Sequence, residues 1–307
     1  FLWGGVSIMS VPVSYLTVIL IWSTTPLAIK WSAEGFGFSF GVLSRMSVAL
    51  VVSLMIIKIF KILMPWHKLA RRTYMVAGIS LYCMMTLSYW GSQYIPSGLI
   101  SVIFGLTPIV TGILAAVWLK EKSLTPVKLV GLALGFSGLY FIFGVTGELG
   151  FTAIYGIIAI LLAVVFHSVS IVWLKSLNSD LPSISITTGG LLYALPLYLL
   201  TWIIADGSLP TEIPIKILIS TLYLGVIGSV LGFVLFIYVV KNVEASQVAL
   251  ITLVTPVFAL MLGSMLNNEE ITFSTYMGAA IITIGLIIYL YGNMFVKLFT
   301  RNSITEV

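Results

Sequence analysis

The chain has 307 residues, of which 60% are hydrophobic and only 8% are charged. So few charges cannot solvate the surface of a water-soluble protein of this length, and the composition therefore predicts a chain surrounded by lipid. The formal net charge of +5 is assigned below to membrane orientation, and no nucleic-acid partner is expected.

Ten apolar stretches follow one another along the chain, separated by short polar or charged breaks. A helix needs about 20 apolar residues to cross a bilayer, whereas a barrel strand needs only about 9 to 11. Backbone groups in hydrocarbon must be hydrogen-bonded within their own segment, so the stretches are predicted to be transmembrane helices. They lie near residues 13–30, 39–60, 73–93, 97–118, 125–143, 152–174, 185–204, 217–240, 245–266 and 274–296.

The spans touch almost end to end, which leaves no room for a separate catalytic domain. Cys83 is the only cysteine, so neither a disulfide nor a cysteine metal site is expected within one chain. The opening residues Phe1 to Ser7 precede Met9, a candidate natural start, and are interpreted as an expression remnant. Whether residues 1–8 are native stays open.

The first span combines a proline with polar and aromatic side chains. Trp22 and Thr25 share a helical face with Pro26, and a proline inside a helix bends it. The pattern predicts an aromatic wall of a solute pathway beside a kink.

The second span contains a cation well inside its apolar run. Arg45 lies too deep to be an ordinary surface charge, and a lone buried cation must find a carboxylate, carbonyl groups or water. Two interpretations stay open. Either Arg45 faces an aqueous vestibule and attracts an anionic or carboxylate-bearing solute, or it braces loop carbonyls or Glu34 near the interface.

The third span carries four polar side chains on one helical face: Tyr82, Thr86, Tyr89 and Gln93. Two phenols, a hydroxyl and an amide should avoid lipid, and they can stack on and hydrogen-bond to an organic solute. The face is therefore predicted to line the pathway. Interhelical hydrogen bonding, with an aromatic belt near Gln93, is the alternative.

One pattern occurs twice, about half a chain apart. Thr107-Pro108 is followed by Glu121, and Thr255-Pro256 is followed by Glu269. With one deletion after the glutamate, the aligned glycines are Gly131 with Gly278 and Gly138 with Gly285. The chain is therefore interpreted as two related halves, residues 1–148 and residues 149–307.

The two prolines of this pattern lie inside predicted helices. A proline lacks an amide donor and frees the carbonyl four residues earlier, which is that of Phe104 for Pro108 and that of Thr252 for Pro256. Thr107 and Thr255 are predicted to patch the local backbone or to contact solute. Paired kinks would suit rocking between two access states, with packing as the alternative.

The sixth span carries a histidine near its middle, with Ser170 one turn after His167. Histidine is the side chain most able to change protonation near neutral pH, so His167 is a candidate for pathway contact and for carrying a coupling proton. A neutral histidine hydrogen-bonded to Ser170 or to another helix is the alternative.

Charged loops predict the orientation. One side receives many Lys and Arg residues, and positive loops stay in the cytoplasm. The opposite side receives Glu34, Glu148, Asp206, Glu212, Glu269 and Glu270. Both termini are then predicted to be cytoplasmic, and five helices per half, an odd number, make the second half enter the membrane inverted.

The sequence resembles the drug/metabolite transporter superfamily, specifically its EamA-type branch. The residues that carry the resemblance are Ile21-Trp22-Ser23 through Ala28-Ile29-Lys30, Arg45, and the duplicated threonine, proline and glutamate pattern. The family usually has glycine where this chain has Ser23. The resemblance implies a secondary carrier of small metabolites, commonly an exporter, in a bacterial inner membrane or an organelle membrane.

Absent residues separate the alternatives. No Asp or Glu lies in the middle of a predicted span, which argues against a multidrug cation exchanger, since such carriers are expected to hold a carboxylate there. An intramembrane hydrolase would need paired aspartates, a His-Glu metal motif or a serine with a base, and none is present. No enzyme activity, cofactor or metal is therefore expected. The sequence also shows neither rings of charged residues nor a filter loop, which would indicate a channel.

The predicted fold is an all-α polytopic membrane protein of ten transmembrane helices in two inverted five-helix repeats. The predicted function is alternating-access transport of a small organic metabolite such as an amino acid through a cavity between the repeats. A flippase for lipid-linked or amphipathic substrates is the alternative. The expected partners are the bilayer and the solute, and the choice between monomer and homodimer stays open.

Overall fold

The computed structural model describes residues 10–34, 37–118, 125–143, 150–209, 212–242, 245–270 and 272–304. Within these ranges the chain forms helices joined by short turns, with no β-strand. A π-helical segment (Leu224–Leu231) joins α9 to α10. The α-helices are α1 (Val11–Ala33), α2 (Gly37–Ile59), α3 (Lys68–Gly91), α4 (Ser97–Phe104), α5 (Thr107–Trp118), α6 (Pro126–Phe143), α7 (Ala153–Leu177), α8 (Ser183–Ala205), α9 (Ile215–Tyr223), α10 (Gly232–Asn242), α11 (Ala245–Asn267) and α12 (Phe273–Ile304).

Length and apolar composition identify six stretches in the described part of the chain that could cross a membrane. They are Val11–Ala33, Gly37–Ile59, Ser97–Trp118, Ala153–Leu177, Ser183–Ala205 and Ile215–Val239. Pro126–Gly138, Thr255–Asn267 and Phe273–Tyr289 are shorter apolar helices. The predicted all-helical membrane protein is confirmed, whereas the count of ten spans stays a prediction.

The two ends of the bundle are distinguished by their charges. We call the end that carries Lys58, Lys61, Lys68, Arg71 and Arg72 the basic face, and Ser185 Oγ donates to Leu63 O at 2.8 Å there. At the other end Lys216 Nζ donates to Glu34 Oε2 at 2.8 Å, and Ser39 donates to Asp206. We call the end that carries Glu34, Asp206 and residues 268–270 the acidic face.

The fourth predicted span is interrupted. α4 ends at Phe104 and α5 begins at Thr107, because Pro108 cannot donate to the Phe104 carbonyl. Thr107 Oγ1 donates to that carbonyl at 2.6 Å and replaces the missing bond. The matching helix α11 runs through Pro256 without a break, so the predicted pair of kinks differs between the two halves.

The fifth and tenth predicted spans, α6 and α12, pack together through their aligned glycines. A Cβ at Gly131 would lie 2.6 Å from Gly285 O, and a Cβ at Gly138 would lie 2.8 Å from Gly278 O. Such close backbone approach requires glycine. The four glycines matched by sequence thus meet crosswise at the interface between the two halves, because each contacts the glycine aligned with its neighbour.

Two buried apolar clusters fill the bundle. One is built mainly from α1, α2, α3, α8 and the π segment, and includes Val42, Met46 and Leu191. The other is built mainly from α4, α7, α11 and α12, and includes Leu99 and Ile160. Phe104, at the end of α4, packs against both clusters. The break before Thr107 therefore lies where the two clusters meet.

We expect Gly131→Ala to lower the free energy of unfolding by about 1–3 kcal/mol, because the new methyl group would overlap backbone that can move only with the whole helix. Gly135→Ala is the control in the same helix. Its Cβ would meet the end of the Ile109 side chain at 2.8 Å, which can rotate away. Thermal unfolding in detergent measures both, and equal midpoints would contradict the prediction.

Candidate functional site

A central cavity lies between the helices and contains about 700 Å³ of empty space, including the part open to solvent. It is bounded by α1, α2, α3, α4, α7 and α11, by the start of α5 and by the π segment with α10. Its walls therefore come from both halves of the chain. The lining residues are Trp22, Thr25, Pro26, Ile29, Arg45, Met84, Met85, Ser88, Ile100, Ser101, Phe104, Thr107, His167, Gly228, Phe233 and Thr255.

A second cavity of about 610 Å³ adjoins the first. The two share Met84, His167 and Phe233. The second cavity is also lined by Ser170 and Leu174 of α7 and by Ile186 and Thr187 near the start of α8, so it extends toward the basic face. The two cavities therefore lie one after the other from the bundle centre toward that face.

His167 lies at the junction of the two cavities among aromatic rings. Its ring centroid is 6.2 Å from Trp22, 6.4 Å from Phe104 and 6.0 Å from Phe236. These rings come from α1, α4 and α10, so elements of both halves meet around one imidazole. A solute passing between the cavities would contact this aromatic group, which can stack on a planar or apolar body.

Arg45 is fully buried in the wall of the central cavity. Its Nε donates to Ser229 Oγ at 2.9 Å, its Cζ lies 6.0 Å from the Tyr89 ring centroid, and Nη1 has no hydrogen-bond partner. Glu34 pairs with Lys216, and the alternative role of Arg45 as a brace for loop carbonyls or Glu34 stays a prediction. Ser229 was not singled out by the sequence, although a stripe of small residues with Gly225 marks its helix face.

The predicted polar face of α3 lies outside both cavities. Tyr82 OH is 2.7 Å from Thr201 Oγ1, and Tyr89 OH is 3.0 Å from Ser32 Oγ. Thr86 Oγ1 is buried, and Gln93 is exposed. The structure therefore shows the alternative contacts, hydrogen bonds between helices, for the two tyrosines, and the pathway role of all four stays a prediction. The cavities are lined instead by Ser80, Met84, Met85 and Ser88 of α3, which the sequence did not single out.

The predicted hydroxyls of α1, α5 and α11 do reach the central cavity. Thr25 Oγ1 donates to Ile21 O at 2.8 Å, as Thr107 Oγ1 does to Phe104 O. A hydroxyl that donates to backbone keeps lone pairs that accept. Thr25 and Thr107 can therefore accept hydrogen bonds from a solute, and Thr255 adds a third hydroxyl. Pro26 lines the same wall beside Thr25.

A charged cluster joins three helices at the acidic face. Glu269 Oε2 accepts from Ser97 N and from Ser97 Oγ, each at 2.8 Å, and Lys30 Nζ lies 3.6 Å from Glu269 Oε1. Lys30 also donates to Ile95 O at 3.3 Å. The Glu269 side chain is only 6% exposed, and a carboxylate is stabilised at a helix N-terminus such as that of α4. We call Lys30, Ser97 and Glu269 the acidic-face latch.

The charged residues of the acidic-face latch have equivalents in the duplicated sequence. Lys30 follows Trp22 by eight residues, and Lys175 follows His167 by eight residues, in equivalent first helices of the two halves. Glu269 has its own repeat equivalent in Glu121, which lies outside the described residues. The second half thus holds a matching lysine and the first half a matching glutamate. Lys175 lies in the last turn of α7, toward the basic face.

Known proteins match most of the chain. The EamA-like transporter family matches residues 10–144 and again residues 154–291. The uncharacterized transporter YoaV of Bacillus subtilis is 25% identical over 281 residues, which cover 91% of this chain and 96% of the relative. A probable terminal-alkyne amino-acid exporter of Streptantibioticus cattleyicolor is 29% identical over 248 residues, covering 79% of this chain and 80% of the relative.

The fold also has a counterpart among solved crystal structures. One such structure superposes with a TM-score of 0.65 and 18% identity, covering 92% of this chain and 98% of the other. Identity at that level shows a shared fold and carries no information about the solute.

We expect Thr107→Val to destabilise the protein by about 1–3 kcal/mol, because the carbonyl of Phe104 loses its remaining donor in a poorly hydrated position. Thr107→Ser keeps the hydroxyl and should remain close to wild type. Thermal unfolding of the three proteins in detergent makes the comparison. A valine variant as stable as wild type would show that the break needs no hydroxyl.

Proposed function

Because the chain belongs to the EamA-like transporter family, we propose that it is a secondary transporter that carries a small organic metabolite, such as an amino acid, by alternating access. The carrying observation is the central cavity, whose walls come from both halves of the chain. We take the halves, residues 1–148 and 149–307, as inverted five-helix repeats. Substrate sites of such carriers lie at the repeat interface.

The family and the named relatives are transporters rather than enzymes. Export is supported by one relative, whose printed name is that of an amino-acid exporter. Bacterial relatives also support a plasma-membrane location. The basic face is then placed in the cytoplasm by the positive-inside rule, and both termini with it.

The acidic-face latch supports a mechanism for the two access states. In this conformation it ties α1, α4 and the end of α11 together, while the second cavity extends toward the basic face. A solute would therefore enter from the basic face. Its release on the other side requires that the Lys30, Ser97 and Glu269 contacts separate.

The movable junction is assigned to the break in the fourth span. Phe104, Thr107 and Pro108 lie where α4 ends and α5 begins, between the two apolar clusters. Separation of the acidic-face contacts together with bending at this junction would open the cavity to the acidic face. Pro26 and Pro256 are assigned supporting hinge roles.

The transport function is tested by uptake and counterflow of labelled solutes in proteoliposomes. Saturable counterflow of a water-soluble organic solute would establish a carrier. Movement of lipid-linked substrates alone would replace this proposal with a flippase.

The access mechanism predicts that loss of the Glu269 charge opens the acidic face. In a Cys83→Ser, Ser101→Cys background, an impermeant maleimide applied to intact cells reports opening of the acidic face, because Ser101 lies one turn below Ser97 and is only 5% exposed. Loss of charge-assisted hydrogen bonds in Glu269→Gln should raise the labelling rate by about tenfold or more.

Glu270→Gln is the matched control for this experiment, since Glu270 is the next residue and is exposed. It should label at the parent rate. Equal labelling of the Glu269 and Glu270 variants would contradict the role of the latch, and the assay needs no knowledge of the solute.

His167 is assigned the coupling proton, because no Asp or Glu is among the described residues that line either cavity and an imidazole can bind and release a proton. His167→Phe keeps an aromatic ring against Trp22 but cannot bind a proton. We expect counterflow to continue and pH-driven accumulation of solute to be lost. Accumulation that still follows an imposed pH gradient in this variant would exclude His167 as the coupling group.

A further inference from the structure

The central cavity contains a cation whose charge is only partly matched. Arg45 is 0% exposed, donates from Nε to Ser229 Oγ, and leaves Nη1 without a hydrogen-bond partner. The ion pairs in the described part of the chain are Lys30 with Glu269 and Lys216 with Glu34. No carboxylate in that part neutralises Arg45.

A buried charge without a counter-ion is costly to keep in an apolar environment. Hydrogen bonds between a guanidinium and a carboxylate are about twice as strong as bonds between neutral groups, and they can form in pairs. An anion that reaches the guanidinium would therefore relieve the cost of the buried charge and gain directed hydrogen bonds.

Gly228 lies beside the guanidinium in the cavity wall. A Cβ at this position would lie 3.3 Å from Leu224 Cδ2, 3.5 Å from Arg45 Nη2 and 3.8 Å from Thr25 Oγ1. A larger side chain there would crowd the guanidinium, and Arg45, Thr25 and Gly228 all line the central cavity.

The remaining wall offers no counter-ion for a second permanent cation. Its large side chains are mainly apolar, among them Met84, Met85, Phe104 and Phe233. His167 can take up a proton there, but none of the described lining residues is Asp or Glu. An ammonium group would enter a cavity that already contains one cation and would find no carboxylate there. Like charges in a shared apolar site disfavour each other.

We propose that the central cavity selects monoanionic organic acids, with the carboxylate bound by Arg45 and an apolar body against Met84, Met85 and Phe104. This inference rests on the transport function proposed above and narrows its solute class. The preferred solute has an amino group that is absent or acylated, so a free amino acid is the weaker ligand.

Three probes with one carbon skeleton test the charge rule. They are 2-hydroxy-4-methylpentanoate, which is an anion, leucine, which has no net charge, and leucinamide, which is a cation. Calorimetric titration into purified protein at neutral pH should show the hydroxy acid binding about ten- to hundredfold more tightly than leucine. Leucinamide should not bind, and counterflow should follow the same order.

Two variants assign the preference to Arg45. Arg45→Met should reduce hydroxy-acid affinity to the level of leucine while the unfolding temperature stays equal or rises, because an unpaired buried charge has been removed. Gly228→Val keeps the charge, crowds the guanidinium and should also reduce the affinity. Arg72→Met, which removes an exposed cation near the basic face, is the control and should bind like wild type.

The proposal is overturned if leucine binds as tightly as the hydroxy acid, if none of the three probes binds, or if Arg45→Met keeps the preference for the anion. A large fall in unfolding temperature with that preference intact would identify Arg45 as a structural brace. The cysteine-labelling assay requires no solute, so the alternating-access function can stand when the charge rule fails. Leucine counterflow with no preference for the anion would likewise support the carrier and reject the rule.

Discussion

The fold is governed by the cost of leaving a charged or polar group without a partner in an apolar medium. Most such groups are matched locally, as the Phe104 carbonyl is by Thr107 Oγ1. Glu269 is matched across helices, by backbone and hydroxyl of Ser97 and by Lys30. Arg45 Nη1 is among the buried atoms that have no hydrogen-bond partner, and Arg45 lines the central cavity. The same cost thus favours the contacts that close the acidic face, and it leaves a cation at the centre of the bundle that can bind an anion.

The duplicated sequence organises both the rigid and the movable parts of the bundle. Gly131 and Gly138 meet Gly285 and Gly278 at backbone distance, which holds α6 against α12. Away from this pair, the halves differ. The chain breaks before Thr107 in one half and continues through Pro256 in the other. The duplicated sequence places a proline at equivalent positions of both halves, and the packing around each proline determines whether its helix breaks.

The helical membrane fold was predicted from the sequence, and six of the residues singled out there line the central cavity, namely Trp22, Thr25, Arg45, Thr107, His167 and Thr255. They stand out because a proline, a buried cation or a mid-span histidine is unusual wherever it lies, and their role in transport stays a prediction. The face of α3 was harder to assign. Tyr82 and Tyr89 are polar enough to line a pathway, yet their hydroxyls contact Thr201 and Ser32. Which neighbour satisfies a hydroxyl depends on helix rotation, and periodicity within one helix does not contain that information.

The π segment at Leu224–Leu231 has a geometric consequence for the path between the cavities. Its hydrogen bonds span one residue more than those of an α-helix, so the segment accommodates one extra residue without interrupting the helix. Converting one such turn to α geometry would rotate the helix that follows, α10, by about 100° about its axis. Phe233 and Phe236 follow this segment directly and face His167 or the cavities it joins. A small change of helical winding, without any unfolding, would therefore rotate Phe233 and Phe236 about the helix axis at the centre of the bundle. This rotation would open or close the space between the cavities.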